Sequence, residues 1–201
     1  MKLACSTWGA STNTLRSSAL AFCYSAAEYC APVWSRSAHT SQVDVQLNST
    51  MRLISGTLRS TPLPCFPVLS NISPPLLRLT SRKLLCLDLQ PVDIKSRWRH
   101  NWKSSQVVSS HLVCYPIIQQ PGFDLPRQQW SLLNSFLTEQ GHCGACRRKW
   151  RLTDADLCPC GETQTMSHIV ESFPLTKLTG GLSWLHSADE DAVSWLTSYG
   201  S

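Results

Sequence analysis

Apolar residues recur at three- and four-residue steps over much of the chain, the spacing that gives a helix one buried face. Between 12 and 31 they are Leu15, Ala19, Phe22, Cys23, Ala26 and Cys30, which predicts an amphipathic helix that Pro32 ends. A second helix is predicted over 41–58. It carries Val43, Leu47, Met51, Ile54 and Leu58 on one face, with Ser41 and Asp44 spaced as a capping box. Gly56 weakens its last turn, and Thr61-Pro62-Leu63-Pro64 stops it. The two helices are expected to pack as a hairpin. Cys23 and Cys30 then read as small apolar residues on the buried face of the first.

Prolines 62, 64, 67, 74 and 75 crowd the next stretch and predict extended chain or a linker, the best place for a boundary. Beyond it, residues 76–103 gather Arg78, Arg82, Lys83, Lys95, Arg97, Arg99 and Lys103 against Asp88 and Asp93. On a helix Trp98 and Trp102 share a face flanked by Arg97, Arg99 and Lys103. Such a face can offer cations to phosphates and rings to bases. The competing reading makes the tryptophans core anchors with the arginines on the wet side. Residues 106–118, with Val107-Val108, Leu112-Val113 and Ile117-Ile118 between small polar groups, suit a short strand or extended segment better than a helix. Pro121-Gly122 makes a turn. Asp124 is placed to cap a helix that starts near Pro126 and buries Trp130, Leu133 and Phe136 or Leu137. Near the end, Ser187 and Glu190 form another capping-box spacing before a short helix with Ala192, Val193 and Leu196 inward. The fold class is mainly α with little strand. The organisation is a helical region over 1–62, a Pro-rich linker over 63–75, a basic connecting region over 76–140 and a cysteine-histidine segment over 141–201.

With 201 residues and 42% hydrophobic content the chain can bury a core. Its net charge of +5 hides a division, since residues 1–151 hold 17 Lys/Arg against 6 Asp/Glu and residues 152–201 hold 1 against 7. A basic body of this kind favours polyanions, and the acidic end can fold back on it or stay solvated. The ten cysteines do not follow a charged-then-apolar leader, so a reduced intracellular chain is expected. No apolar run has the roughly 18 to 20 residues needed to cross a bilayer, and no membrane partner is expected.

Chemistry concentrates in Cys158-Pro159-Cys160-Gly161 and the His168 that follows. Two thiolates and an imidazole so close together are three ligands of a tetrahedral zinc, and Gly161 supplies the tight turn that a knuckle needs. The fourth ligand is open. Water can complete the site, Cys143 or Cys146 can donate, or the site can be empty with Phe173 packed into it. Cys143, Cys146, Cys158 and Cys160 also form an all-cysteine spacing that leaves His168 out. A three-ligand zinc resembles a catalytic one, yet no base and substrate pocket accompany it, so hydrolase chemistry is discounted. Just upstream, Arg147, Arg148, Lys149 and Arg151 make a compact cationic run.

Several motifs occur in one order. They are Thr7-Trp8-Gly9-Ala10, Leu15-Arg16-Ser17-Ser18-Ala19-Leu20, the run from Tyr24 to Trp34, Gln46-Leu47-Asn48-Ser49-Thr50-Met51-Arg52, the run from Gln120 to Arg127, the run from Gln164 to Glu171, and Asp189-Glu190-Asp191-Ala192-Val193. Together with the knuckle they resemble the C-terminal part of Jockey-like non-LTR (LINE-type) retrotransposon reverse transcriptases, namely the thumb and the cysteine-histidine segment. The resemblance implies a thumb-like helical hairpin followed by a small α-rich segment with a zinc-knuckle-like motif. It implies ligands at Cys158, Cys160 and His168, with Phe173 standing where the family has a fourth cysteine. It implies RNA or DNA as partner, a full-length element protein in trans, and a nuclear or cytoplasmic place of work. The family's palm carboxylates and endonuclease are absent from this stretch, so a non-catalytic nucleic-acid-binding remnant is expected. An inert or self-associating fragment is the alternative. Ser135 and Leu137 stand where family relatives carry arginines, which removes polyanion contacts.

Overall fold

The computed structural model describes residues 9–34, 37–86, 93–108 and 110–199, with side chains 34 and 82–86 left aside. It is mainly helical, as the periodicity predicts, and its described residues contain no sheet. Helix α1 (Thr12–Ser18) is capped by Ser11, whose hydroxyl accepts from the Thr14 N–H at 3.2 Å. It runs into a π-helical stretch (Ala19–Tyr24) in which the Ser25 N–H reaches back to the Leu20 carbonyl, then into α2 (Ser25–Tyr29) and the short α3 (Ala31–Trp34).

That π turn changes which face is buried. A wider turn takes up one more residue and rotates everything after it. Thr12, Ala19, Tyr24, Ala27 and Ala31 are buried, whereas Phe22 is 76% exposed and Cys23 is on the surface. The face expected to carry Phe22, Cys23 and Ala26 inward is therefore corrected.

Helix α4 (Thr40–Ser55) buries Val43, Leu47, Met51 and Ile54, as predicted. The capping box does not form, because the cap position is His39 and the helix starts a residue early. Gly56 ends the helix in the left-handed region (φ +66°), which glycine adopts without strain. Next comes α5 (Cys65–Ser70), wholly buried, where extended chain or a linker was expected. Its prolines are tolerated because Pro64 is the cap and Pro67 lies in the first turn, where backbone N–H groups have no helical acceptor anyway.

Helix α6 (Pro75–Cys86) begins on a proline and packs on α2, α3 and α4. Helix α7 (Ile94–Ser104) is capped by Asp93, whose carboxylate accepts from Lys95 and Ser96 N–H. Residues 106–108 and 113–118 are irregular chain and turns on either side of a 3₁₀ turn at Ser110–Leu112, so of the two expected forms the strand does not appear among the described residues.

Helix α8 (Arg127–Leu137) buries Trp130, Leu133, Phe136 and Leu137 as expected, but Asp124 does not cap it. That carboxylate instead accepts from the Asn13 side chain, tying α1 to the turn before α8. The other face of α8 is polar and still buried, and it closes the carbonyl end of α4. Arg127 donates to the Leu53 and Ile54 carbonyls, Ser131 to Gly56 at 2.6 Å and Asn134 to Ser55 at 2.8 Å. The last carbonyls of a helix have no partner inside it, so these side chains satisfy groups that burial would otherwise penalise.

The chain ends in α9 (Gly144–Lys149), α10 (Met166–Glu171), α11 (Gly181–Ser187) and α12 (Glu190–Tyr199). Asp189, rather than the Ser187 and Glu190 pair, caps α12, while Ala192 and Leu196 are buried. Phe136 meets Trp195 and Tyr199 edge-on at 5.2 and 5.3 Å, fastening α12 to α8. One apolar core runs through both halves, from Ala19 and Tyr24 through Trp130 to Leu185 and Leu196.

Candidate metal centre

The cysteine-histidine loop is a tight reversal of the chain. Leu157 and Thr163 form an antiparallel bridge, the Cys158 N–H donates to the Glu162 carbonyl at 2.7 Å, and the Gly161 N–H donates to the Cys158 carbonyl at 2.9 Å. Gly161 sits at φ +90°, so a side chain there is strained even though nothing crowds the site. Thr165 then caps α10 by accepting from the His168 N–H at 3.0 Å, which fixes His168 in the first turn.

These constraints bring three ligand atoms together. The donor atoms of Cys158, Cys160 and His168 lie within 4.8 Å of one another, and Cys160 Sγ is 3.3 Å from His168 Nε2. A tetrahedral zinc with ordinary bond lengths separates two sulfurs by about 3.8 Å and a sulfur from a nitrogen by about 3.5 Å. The residues therefore fit a metal ion. Cys158 and His168 are buried and Cys160 is exposed, so the cluster opens to solvent on the Cys160 side. Burial, then the neighbouring Cys160 thiol and Glu162 carboxylate, push the Cys158 thiol up.

The other ring nitrogen is also engaged. His168 Nδ1 lies 3.1 Å from Glu162 Oε2. With Nδ1–H donating there, Nε2 keeps its lone pair for a metal, the orientation that carboxylate partners impose on metal-binding histidines. Sequence reasoning missed Glu162, since only the folded loop turns it back onto the ring. It also missed Gln164, which clamps the loop to α9: its carbonyl accepts from the Ala145 N–H at 3.0 Å and its Oε1 from the Gly144 N–H at 2.9 Å.

The candidate fourth ligands lie elsewhere. Neither Cys143 nor Cys146 belongs to the cluster, which is the one group of its kind among the described residues. Cys143 is buried and its thiol is pushed up by that burial, with Cys146 beside it; Cys146 donates to the Glu139 carbonyl at 3.4 Å. The all-cysteine arrangement is thus not assembled. Phe173 is half-buried with its ring 6.2 Å from that of His168, so it packs against the site without filling a ligand position.

The expected nucleic-acid residues divide. Trp98 and Trp102 are 6% and 7% exposed and form a small core with Val68 and Leu77, and Trp102 Nε1 donates to the Val113 carbonyl at 2.9 Å. Their rings are core anchors and are not offered to bases. Arg97 and Lys103 are exposed on the outer side of α7, while Arg99 is half-buried. Arg147, Arg148 and Lys149 are exposed in the last turn of α9, where cations favour the carbonyl end of the helix, and Arg151 is exposed just beyond it. Arg148 pairs with Asp156 at 2.8 Å, which joins the cationic run to the loop.

No protein-family model matches the chain, and no curated protein or solved structure matches it either. No helix among the described residues is long and apolar enough to cross a membrane.

Proposed function

We propose that the chain is a non-catalytic nucleic-acid-binding module, related to the C-terminal part of LINE-type reverse transcriptases, in which Cys158, Cys160 and His168 hold a zinc ion that stiffens a basic surface. The observation that carries this reading is the union of the cationic run with the metal-capable loop. Arg147 and Lys149 on α9 and Arg151 just beyond it are exposed cations with no ion pair among the described residues, and the helix is fastened to the loop by Gln164 and by the Arg148–Asp156 pair. Exposed unpaired cations gain by displacing the counterions of a phosphate backbone. On α7, Arg97 and Lys103 extend the same chemistry. The zinc would supply rigidity, closing a loop that two thiols and an imidazole otherwise hold only by hydrogen bonds.

The test is binding of the purified chain to a labelled structured RNA and to duplex DNA across a salt series. The expected result is a linear fall of log affinity with log salt, with a slope of about 0.9 per phosphate neutralised on duplex DNA. Absence of binding even at low salt would sink the proposal. A primer-extension assay with magnesium is expected to give no product.

One observation favours a second reading, self-association. Phe22, Tyr29 and Val33 are 76%, 88% and 78% exposed, and with Ala26 they recur at four- and three-residue steps. Exposed apolar area of this kind is unusual on a chain that works alone. Sedimentation across a concentration series separates the readings, since self-association raises the mass without nucleic acid.

A further inference from the structure

We propose that the cavity enclosed by α5, α7, the end of α8 and α11 is a binding site for a small, neutral, mostly apolar molecule that carries one hydroxyl group. Cys65, Val68 and Leu69 of α5, Trp102 of α7 and Leu137 of α8 wall it, and all five are buried. Val108, 52% exposed, is the lining residue most open to solvent and marks the mouth. The enclosed space measures about 20 Å³. One water needs about 10–15 Å³, so the closed end takes one polar group of that size and the rest of a ligand lies towards Val108.

The wall decides the chemistry. None of the lining residues is a lysine, arginine, aspartate or glutamate, so a charge brought there finds no counter-charge. Burial keeps the two titratable groups neutral, pushing the Cys65 thiol up to about 12 and holding His186 below its ordinary value. The other polar side chains are engaged by the main chain. Trp102 donates to the Val113 carbonyl at 2.9 Å, Thr138 to the Asn134 carbonyl at 2.7 Å, and Gln120 to the Tyr115 and Ile118 carbonyls at 3.2 and 3.0 Å. His186 differs. It lines the cavity, and its Nε2 is buried without a partner among the described residues. Buried waters are held by two to four hydrogen bonds, and this wall leaves one buried side-chain nitrogen to bind one, so a ligand displaces a weakly held water. A hydroxyl suits either tautomer of His186 because it both donates and accepts, and an apolar body meets the aliphatic and indole wall. The site uses no residue of the metal centre or of the cationic run, so it stands or falls apart from the nucleic-acid reading.

Phenol and benzene are the probes. Each is titrated into the ¹⁵N-labelled chain at neutral pH while the Trp102 indole N–H and the His186 ring nitrogens are followed. Saturable movement of the Trp102 resonance by both is expected, with phenol bound about fivefold more tightly, the contribution of one neutral hydrogen bond. Phenol alone is expected to shift His186 Nε2. In His186→Leu, phenol should lose its advantage while benzene still binds. The inference is overturned if neither probe moves Trp102 saturably, if phenol binds no more tightly than benzene, or if phenol keeps its advantage in His186→Leu. The first two outcomes are read on the parent chain, so they decide the matter even where the variant folds poorly.

Discussion

Replacing Glu162 by Gln keeps the length of the side chain and an acceptor oxygen while removing the charge that faces His168 Nδ1 at 3.1 Å. A hydrogen bond to a charged partner contributes about 1.5–3 kcal/mol. His168 is 7% exposed but Glu162 is 70% exposed, so water screens the carboxylate and the loss falls to about 1 kcal/mol. At 1.4 kcal/mol per factor of ten, zinc affinity is expected to drop about fivefold, below the roughly tenfold or more that loss of such a partner costs at less exposed sites. Competition with a chromophoric chelator measures the affinity. Cobalt substitution reports whether two thiolates and one imidazole still bind, and the imidazole ¹⁵N shifts report which ring nitrogen keeps its proton. The thermal midpoint of the metal-free chain should barely move, because the substituted side chain is mostly in water. An affinity within a factor of two of the parent, or a metal-loaded protein whose His168 is protonated at Nε2, would refute the assignment.

Trp102→Phe tests the anchor: losing the bond to the Val113 carbonyl and part of the ring is expected to cost about 1–3 kcal/mol in urea unfolding while leaving RNA affinity unchanged, and a loss of affinity at full stability would restore the base-stacking reading. Arg127→Met keeps the apolar stem but leaves the Leu53 and Ile54 carbonyls without their donor, so a loss of about 3 kcal/mol or more is expected, and a loss under about 1 kcal/mol would show that the guanidinium is not what closes α4. His186 has a buried Nε2 without a partner among the described residues, and burial holds its pKa below 6.5. The folded state therefore binds fewer protons than the unfolded one. His186 stability is complete above pH 6.5 and lost as pH falls below it, so His186→Leu should flatten the acid side of the stability profile relative to the parent; superimposable profiles would refute this.

The long helices were legible because they obey one period. Val43, Leu47, Met51 and Ile54 in α4, and Trp130, Leu133 and Phe136 in α8, point inward as their spacing says. The first helix was not, because a π turn inside it shifts the period, and nothing in Ala19-Leu20-Ala21-Phe22 announces such a turn. Helix α5 was hidden by prolines that are harmful only beyond the first turn of a helix. At the metal centre, Cys158, Cys160 and His168 were legible from their spacing, since short loops fix what their ends can reach. Glu162 and Gln164 were not, because their roles depend on which way the loop turns. Cys143 and Cys146 are close to the site in sequence, but α9 keeps them at the core side of the helix.

The closure of α4 by α8 also sets a schedule. Leu53 and Ile54 find their donor in Arg127, 74 and 73 positions later, and Ser55 waits 79 positions for Asn134. A ribosome adding about 5–20 residues per second delivers those donors on the order of 4–15 s after the carbonyls they serve. For that interval the end of α4 must be hydrated, and the core that spans both halves cannot close. Nascent chains stalled before residue 127 should therefore remain protease-sensitive around Gly56, and those extended past α8 should become resistant there.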